Sequence, residues 1–304
     1  MKVTVTGATG LLGRAVVAEL LARGDAVTVL SRDAAGARGK LGDVRALDWP
    51  DPRAEEPPSE ALEGQDGVVH LLGEPVAQRW SDRVKRQIRE SRVLATRNLV
   101  SCLARLDRRP GVLVSQSATG YYGARGDEPV EESAPAAEDF LARVVVDWEA
   151  EAQAADALGV RVVRTRTGVV LSPSGGALER MLPPFKLGAG GPVAGGRQYM
   201  PWIHVDDVAG GLLFCLDNGD AVGAVNLTAP APATNAELSK TLGRVLGRPA
   251  VVPVPAFAVK ALYGEMASIV TTGARVVPAR LLELGYAFRE PDLERALRRV
   301  TGSG

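Results

Sequence analysis

MKVTVTGATGLLGRAVVAELLARGDAVTVLSRD, residues 1–33, is the stretch on which the fold turns. Residues 2–6 (KVTVT) are short and β-branched, as a buried strand requires. Gly7, Gly10 and Gly13 follow at a spacing of three, and residues 14–23 (RAVVAELLAR) carry a helical pattern that Gly24 stops. Residues 26–30 (AVTVL) form a second apolar strand. Strand, glycine turn, helix and strand within about 30 residues make a βαβ unit, the seed of a parallel sheet. The first glycine permits a tight turn, the second leaves room for a pyrophosphate, and the third lets helix and strand pack closely. Free N–H groups and the helix dipole then favour phosphate charge, so Gly7, Thr9, Gly10, Leu11, Leu12 and Gly13 form a candidate dinucleotide cradle.

The end of the second strand bears on which dinucleotide. NAD sites usually place Asp or Glu there to accept from the ribose 2′-OH. This chain has Leu30-Ser31-Arg32. A hydroxyl and a guanidinium suit a 2′-phosphate, to which Arg can donate two parallel bonds. The pattern favours NADP(H) over NAD(H). Asp33 fits either scheme, and the plain alternative for Arg32 is a solvated surface charge.

Working outward, the alternation continues. Residues 67–72 (GVVHLL) read as a strand entering a loop at Gly73–Pro75, and 82–105 as a long helix. Residues 111–115 read as a strand, 138–158 as a helix with Trp148 and Glu149, and 160–164 as a strand. Between the second strand and residue 67 the prolines suggest exposed connections around one short strand. Residues 172–197, with SPSGGAL and LGAGGPVAGGR, read as glycine-rich and irregular. WIHV (202–205), a helix from Asp206 and VNLTAP (225–230) return to the first pattern; 234–247, 256–268 and part of 278–299 read as helical. The expectation is an α/β protein with a Rossmann-type doubly wound parallel sheet. A dinucleotide-binding domain would span 1–231, with 172–200 as a glycine-rich substrate-side insertion, and a small helix-rich lobe would span 232–304.

Composition narrows the function classes. Lys plus Arg and Asp plus Glu are 36 each among 304 residues, so the formal charge is zero, against the basic excess of a dedicated nucleic-acid binder. At 46% hydrophobic and 24% charged, the chain is too apolar for disorder. Cys102 and Cys215 lie far apart, and His70 and His204 are the only histidines, too few clustered ligands for a Cys/His zinc site or a disulfide framework. The N-terminus lacks the apolar core of a signal peptide, and no run approaches the roughly 18–20 apolar residues of a membrane span. These readings together predict a cytoplasmic protein with a small-molecule partner, no nucleic acid, no membrane and no metal.

GATGLLG (7–13), SQSATGYYG (115–123) and WIHVDD (202–207) resemble the extended short-chain dehydrogenase/reductases. RWSDRVKRQIRESRV (79–93), DWEAEA (147–152), RTGVVL (166–171) and GGALERMLPPFKLGAGGPVAGGRQ (175–198) are similar to its atypical, sugar-nucleotide-epimerase-like branch, within the NAD-dependent epimerase/dehydratase family. Residues 248–297 resemble that branch's C-terminal domain of unknown function. The resemblance covers nearly the whole chain. It implies an NADP-binding Rossmann fold and no established reaction. A homodimer through helices 82–105 and 138–158 is implied by resemblance alone.

Typical members of the superfamily use Tyr-x-x-x-Lys, the lysine lowering the tyrosine pKa. None of the five tyrosines here has a lysine four residues later, and the corresponding helix offers Phe140, Leu141, Val144 and Val145. By resemblance, Ser117 matches the active-site serine, and Leu71, Leu72 and Gly73 form the loop that touches the cofactor. Tyr121 and Tyr122 lie near the expected nicotinamide; either could donate a proton with Arg125 lowering its pKa, or one packs while the other hydrogen-bonds backbone. Glu149 reads as a structural partner of Arg166 or of the glycine-rich loop before it reads as an acid. Glu74, Arg79 and Arg197 are candidate substrate-side groups, Arg197 and Gln198 facing the expected substrate pocket; Arg79 and Arg92 read either as groups that bind an anionic substrate or as solvated helix charges. In the HVDD turn His204 reads as structural and Asp206 or Asp207 as a helix cap. Nucleotide-sugar epimerases carry an arginine a few residues before that histidine; here Met200 stands four before it. Two functions stay open: an NADP(H)-dependent oxidoreductase or epimerase-like enzyme acting on a carbonyl or carbinol, and a non-catalytic NADP(H)-binding regulator or scaffold.

Overall fold

The computed structural model describes residues 1–302. Its first half runs β1 (Lys2–Thr6), α1 (Leu11–Ala22), β2 (Ala26–Ser31), α2 (Ala34–Leu41), β3 (Arg45–Asp48), β4 (Gly67–His70), α3 (Asp82–Ala104), β5 (Val112–Ala118), β6 (Pro129–Val130) and α4 (Phe140–Gln153). Then come β7 (Arg161–Thr167), β8 (Val169–Leu171), α5 (Gly176–Lys186), β9 (Tyr199–Met200), β10 (Trp202–His204), α6 (Val205–Asp217), β11 (Gly223–Leu227) and β12 (Ala233–Thr234). The last part is α7 (Asn235–Val245), α8 (Ala256–Tyr263), α9 (Ser268–Thr271), β13 (Arg275–Val276), α10 (Ala279–Glu283) and α11 (Leu293–Thr301).

Seven strands form one parallel sheet in the order β11-β7-β5-β4-β1-β2-β3. β1 pairs with β2 on one side, Val3 opposite Val27, and with β4 on the other, Val5 opposite Val69. On one face Val3, Val5, Val16, Val17, Leu20, Leu212 and Leu213 pack the sheet against α1 and α6. On the other, Leu30, Val68, Leu99, Leu103, Leu113 and Val162 pack it against α3 and its neighbours. Burial on both faces is why these strands read as apolar runs rather than alternating ones. Chain order reverses between β1 and β4, and in such sheets the ligand crevice opens beyond the strand ends at that reversal.

The α/β doubly wound expectation is met, with local corrections. α2 lies where the chain read as loop. Its sequence AAGARGKL has two glycines and little apolar character, so no pattern announces it. What holds it is Asp33, whose side chain accepts from the Gly36 amide at 2.9 Å, with Ala34 and Ala37 buried. α5 lies inside the glycine-rich segment despite Pro183 and Pro184. Its Leu178 and Phe185 join Leu171, Trp202, Leu242, Val245, Leu297 and Val300 in a third apolar cluster. Tertiary burial overrides the local breakers there, and the cluster ties the insertion to the C-terminal helices. The 138–158 helix is α-helical only over Phe140–Gln153, then tightens to a 3-10 turn at Ala154–Leu158. α6 is capped by His204 itself, whose Nδ1 accepts from the Asp206 amide at 3.1 Å, not by either aspartate. Asp207 instead accepts from the Arg289 and Glu290 amides (2.7 and 2.8 Å), and Asp206 pairs with Arg299 at 2.7 Å. Residues 303–304 of the expected C-terminal lobe lie outside the described residues. Among the described residues no helix is long and apolar enough to cross a membrane, and no His/Cys/Asp/Glu group could hold a metal ion.

Candidate functional site

The turn from β1 into α1 is built so that only glycine fits. Gly7 has φ +66°, and a Cβ there would stand 2.7 Å from the Leu71 carbonyl oxygen. A Cβ on Gly13 would stand 2.3 Å from the Gly7 oxygen and 2.5 Å from Ala8 Cα. Gly10 is the exposed N-cap residue of α1, and no side chain caps that helix. The first-turn amides, lacking intrahelical partners, therefore face outward with the positive end of the dipole. A bare, exposed helix start behind a side-chain-free turn fits a pyrophosphate. Thr9, Leu11 and Leu12 are half-buried around it.

Past β2, Asp33 is committed to capping α2, and the Ser31 hydroxyl accepts from the Asp33 amide at 3.2 Å. Arg32 is exposed and makes no ion pair or hydrogen bond among the described residues. One oxygen of the carboxylate that could serve an NAD ribose is thus engaged locally, and the Arg32 guanidinium is free.

The facing wall is the loop after β4. Leu71 is buried, Leu72 half-buried, and Gly73 and Glu74 exposed; the Glu74 amide donates to Ser91 Oγ at 3.0 Å. Beneath the loop lies a device that went unread in the sequence. His70 is fully buried, Nδ1 2.8 Å from Thr6 Oγ1 and Nε2 2.9 Å from Thr96 Oγ1, and Thr96 also accepts from Trp148 Nε1 at 3.0 Å. One ring ties β1, β4, α3 and α4 together under the crevice. Burial drives its pKa from 6.5 down to about 3. The native ring is neutral, whereas the unfolded chain takes a proton near 6.5. Stability is therefore full above that pH and is lost as pH falls toward 3, by up to about 1.4 kcal/mol per unit from this group. Urea unfolding of the wild type and His70→Gln at pH 7 and pH 5 checks this. The wild type should lose more stability on acidification; equal losses would refute the assignment.

At the end of β5 the structure gathers the expected polar residues into the core. Ser117 is 1% exposed and donates to Glu149 Oε1 at 2.6 Å. Glu149 also accepts from Arg166 Nε (2.8 Å) and Nη2 (2.9 Å) and from Arg164 Nη1 (3.1 Å), so its structural pairing is observed. Arg166 Nη1 donates to the Tyr122 hydroxyl at 2.9 Å, and that hydroxyl donates to Asn226 Oδ1 at 2.7 Å. Burial opposes the charge on Arg166, but the hydrogen bonds and charge of Glu149 outweigh it and raise its pKa. Tyr122 has no exposed surface, and burial pushes its pKa up to about 12, away from a neutral-pH proton donor. Arg125 does not reach either hydroxyl; it donates to the Tyr122 and Pro135 carbonyls at 3.1 and 2.7 Å. Tyr121 is half-exposed, with the Arg166 guanidinium 3.4 Å from its ring centroid. Asn226 and Glu132 complete the network: Glu132 Oε1 accepts from the Asn226 amide at 2.9 Å, and Asn226 Nδ2 donates to the Val277 carbonyl at 2.9 Å. Neither carries a motif, because a polar residue's burial is set by packing from distant segments.

No hydrogen bond or ion pair joins Glu74, Arg79 and Arg197 to one another among the described residues. Arg79 is exposed and donates to the carbonyls of Ala261 and Leu262 at 3.3 and 3.4 Å. Arg197 is exposed, while Gln198 donates to the Val193 and Val270 carbonyls at 3.0 and 2.8 Å. Trp148 is buried beneath Arg92. An aromatic-edged cavity of about 640 Å³, lined by Trp80, Phe140, Phe257, Lys260 and neighbours, lies between α4 and α8.

Known proteins resemble this chain along nearly its whole length. A chloroplastic epimerase family protein SDR39U1 homolog of Arabidopsis thaliana is 41% identical over 304 residues, covering 99% of this chain and 86% of its own. An epimerase family protein of Mycobacterium bovis is 39% identical over 301 residues, covering 98% and 97%. The crystal structure of human epimerase family protein SDR39U1 with NADPH superposes with a TM-score of 0.88 at 33% identity, covering 99% of both chains. Residues 254–300 match the domain of unknown function DUF1731. Residues 3–228 match the NAD dependent epimerase/dehydratase family, and with the glycine turn, the parallel sheet and these relatives the chain belongs to that family.

Proposed function

We propose that this chain binds NADP(H) in the turn between β1 and α1 and is an oxidoreductase or epimerase-like enzyme acting on a carbonyl or carbinol of a small molecule. The observation that carries the reading is the glycine turn, where a Cβ at Gly7 or Gly13 would strike backbone and the helix start is left bare. Gly7, Gly10 and Gly13, with Thr9, Leu11 and Leu12, hold the pyrophosphate; Ser31 and Arg32 receive the 2′-phosphate; Leu71, Leu72 and Gly73 wall the crevice. When bound, the nicotinamide supplies hydride exchange. Ser117 and Tyr122 act through the buried network: they fix Glu149 and Arg166, and so the end of β5. Tyr121, half-exposed beside them, handles the proton. Glu74, Arg79 and Arg197 contact substrate from the rim. The protein works in the cytoplasm on a small molecule, without nucleic acid or membrane, as a homodimer through α3 and α4.

A second reading is favoured by one observation. The hydroxyls of Ser117 and Tyr122 are engaged in the core, and Leu141, Val144 and Val145 occupy the helix that carries the proton relay in typical relatives. A chain so built could bind NADP(H) as a regulator or scaffold without turnover.

Titration calorimetry separates the layers. NADPH is expected to bind well ahead of NADH. Arg32→Ala should weaken NADPH by about 1.5–3 kcal/mol, roughly ten- to hundredfold, and leave NADH unchanged. No NADPH uptake by folded protein would overturn the reading. NADPH oxidation by a panel of carbonyl compounds, lost in Tyr121→Phe with the cofactor still bound, supports the enzyme. Binding without any turnover supports the regulator.

A further inference from the structure

Helix α3 carries three arginines toward α4, and two of them are paired there. Arg89 donates from Nε and Nη2 to Asp147 at 3.0 and 2.8 Å. Arg97 donates from Nε and Nη2 to Glu151 Oε1 at 3.1 and 2.5 Å. Arg92, between them, meets Trp148 instead, its guanidinium carbon 5.3 Å from the ring centroid. Its Nη1 donates to the Ile88 carbonyl at 3.0 Å. Nε and Nη2, the same side-on pair its neighbours use, have no partner among the described residues and are not sealed from solvent. Yet Arg92 is the most enclosed of the three: burial lowers its pKa to about 10, against the opposing charge of Glu74, which stays outside ion-pair range. A guanidinium withdrawn from water without a counter-charge costs free energy.

The place of this cation is informative. It lies under the loop that walls the crevice, so close that a Cβ on Gly73 would stand 2.9 Å from Arg92 Cζ. Trp148 fixes the guanidinium plane, and the missing side chain of Gly73 leaves its edge uncovered. A planar fork of two parallel N–H groups matches a carboxylate or phosphate edge bidentately. We propose that Arg92 is the substrate-recognising cation of the cleft, and that the molecule acted on carries an oxyanion, a carboxylate or a phosphate, which docks side-on against Nε and Nη2 beside Gly73. This rests on the reading above, because a dinucleotide along the β1–β4 crevice is what places a substrate next to Gly73.

The test uses the full chain, ligand-free and with NADPH. The arginine Nε–H resonances are followed by ¹⁵N–¹H NMR, with Arg92 identified by loss of its signal in Arg92→Lys, or by through-bond assignment if that variant does not fold. Acetate, inorganic phosphate and neutral acetamide are titrated at constant ionic strength. One or both anions should shift the Arg92 resonance saturably and slow its exchange with water, while Arg89, Arg97 and the acetamide arm stay still. In Arg92→Gln the anion Kd should rise tenfold or more. The anion with the larger effect names the substrate's group. If NADPH binds and neither anion moves Arg92, or if all three arginines move together, the proposal is overturned. If NADPH itself fails to bind, the dinucleotide reading falls, while the ligand-free titration still decides whether Arg92 takes an oxyanion.

Discussion

Glu149→Ala is expected to destabilise the folded chain by about 3–5 kcal/mol, because it strands a buried cation. The Glu149 carboxylate is 4% exposed, takes two hydrogen bonds from Arg166, itself 3% exposed, and also holds Arg164 and the Ser117 hydroxyl. Removing it leaves the Arg166 guanidinium in the core with only the Tyr122 hydroxyl and the Glu132 carbonyl as acceptors. The loss should exceed that of Ser117→Ala, which breaks one hydrogen bond and costs about 1–3 kcal/mol. Glu149→Gln should fall between, since it keeps the shape and removes the charge. Urea unfolding of the three variants orders them. A loss under about 1 kcal/mol for Glu149→Ala would mean that the network is not a structural hub, since that is only the size of a typical surface ion pair. The network reaches from β5 to the Val277 carbonyl, so its loss should also loosen the segment around Tyr121.

The second large effect belongs to Gly13→Ala. The added Cβ meets the Gly7 oxygen at 2.3 Å and Ala8 Cα at 2.5 Å, and both are backbone atoms that cannot rotate aside. The helix start must move from the turn, which by the usual cost of overpacking is about 1–3 kcal/mol. If the binding conformation bears that cost, NADPH binds roughly ten- to hundredfold more weakly. Gly39→Ala is the matched control. It adds the same methyl group in α2 with nothing within 4 Å, so stability should hold or rise slightly and NADPH affinity should not change. Calorimetry and thermal unfolding on the pair check both. Wild-type affinity and melting in Gly13→Ala would show that the turn does not form as described.

Residues 2–30 were legible at once, since strand, glycine turn, helix and strand are written in local periodicity and in the steric permissiveness of glycine. The sheet class and the glycine turn ahead of an uncapped helix start follow from that stretch without reference to the rest of the chain. The pairing of Glu149 with Arg166 was also foreseeable, because a lone carboxylate on a core-facing helix needs a cation. α2 and α5 were hidden: the first is held by the Asp33 cap, the second by burial of Leu178 and Phe185 against residues over a hundred positions later, Leu297 among them. Which tyrosine is sealed in the core was undecidable from SATGYYG, as Tyr122 is fully buried and its neighbour Tyr121 only half-buried. The His70 ring between two threonines, and an Arg92 lacking the carboxylate that both of its neighbours have, depend on where α3 and α4 dock on the sheet. Local sequence fixes backbone geometry because φ, ψ and periodicity are short-range. The solvation and partners of a charged or polar side chain come from segments far apart in the chain, so only the packed molecule assigns them.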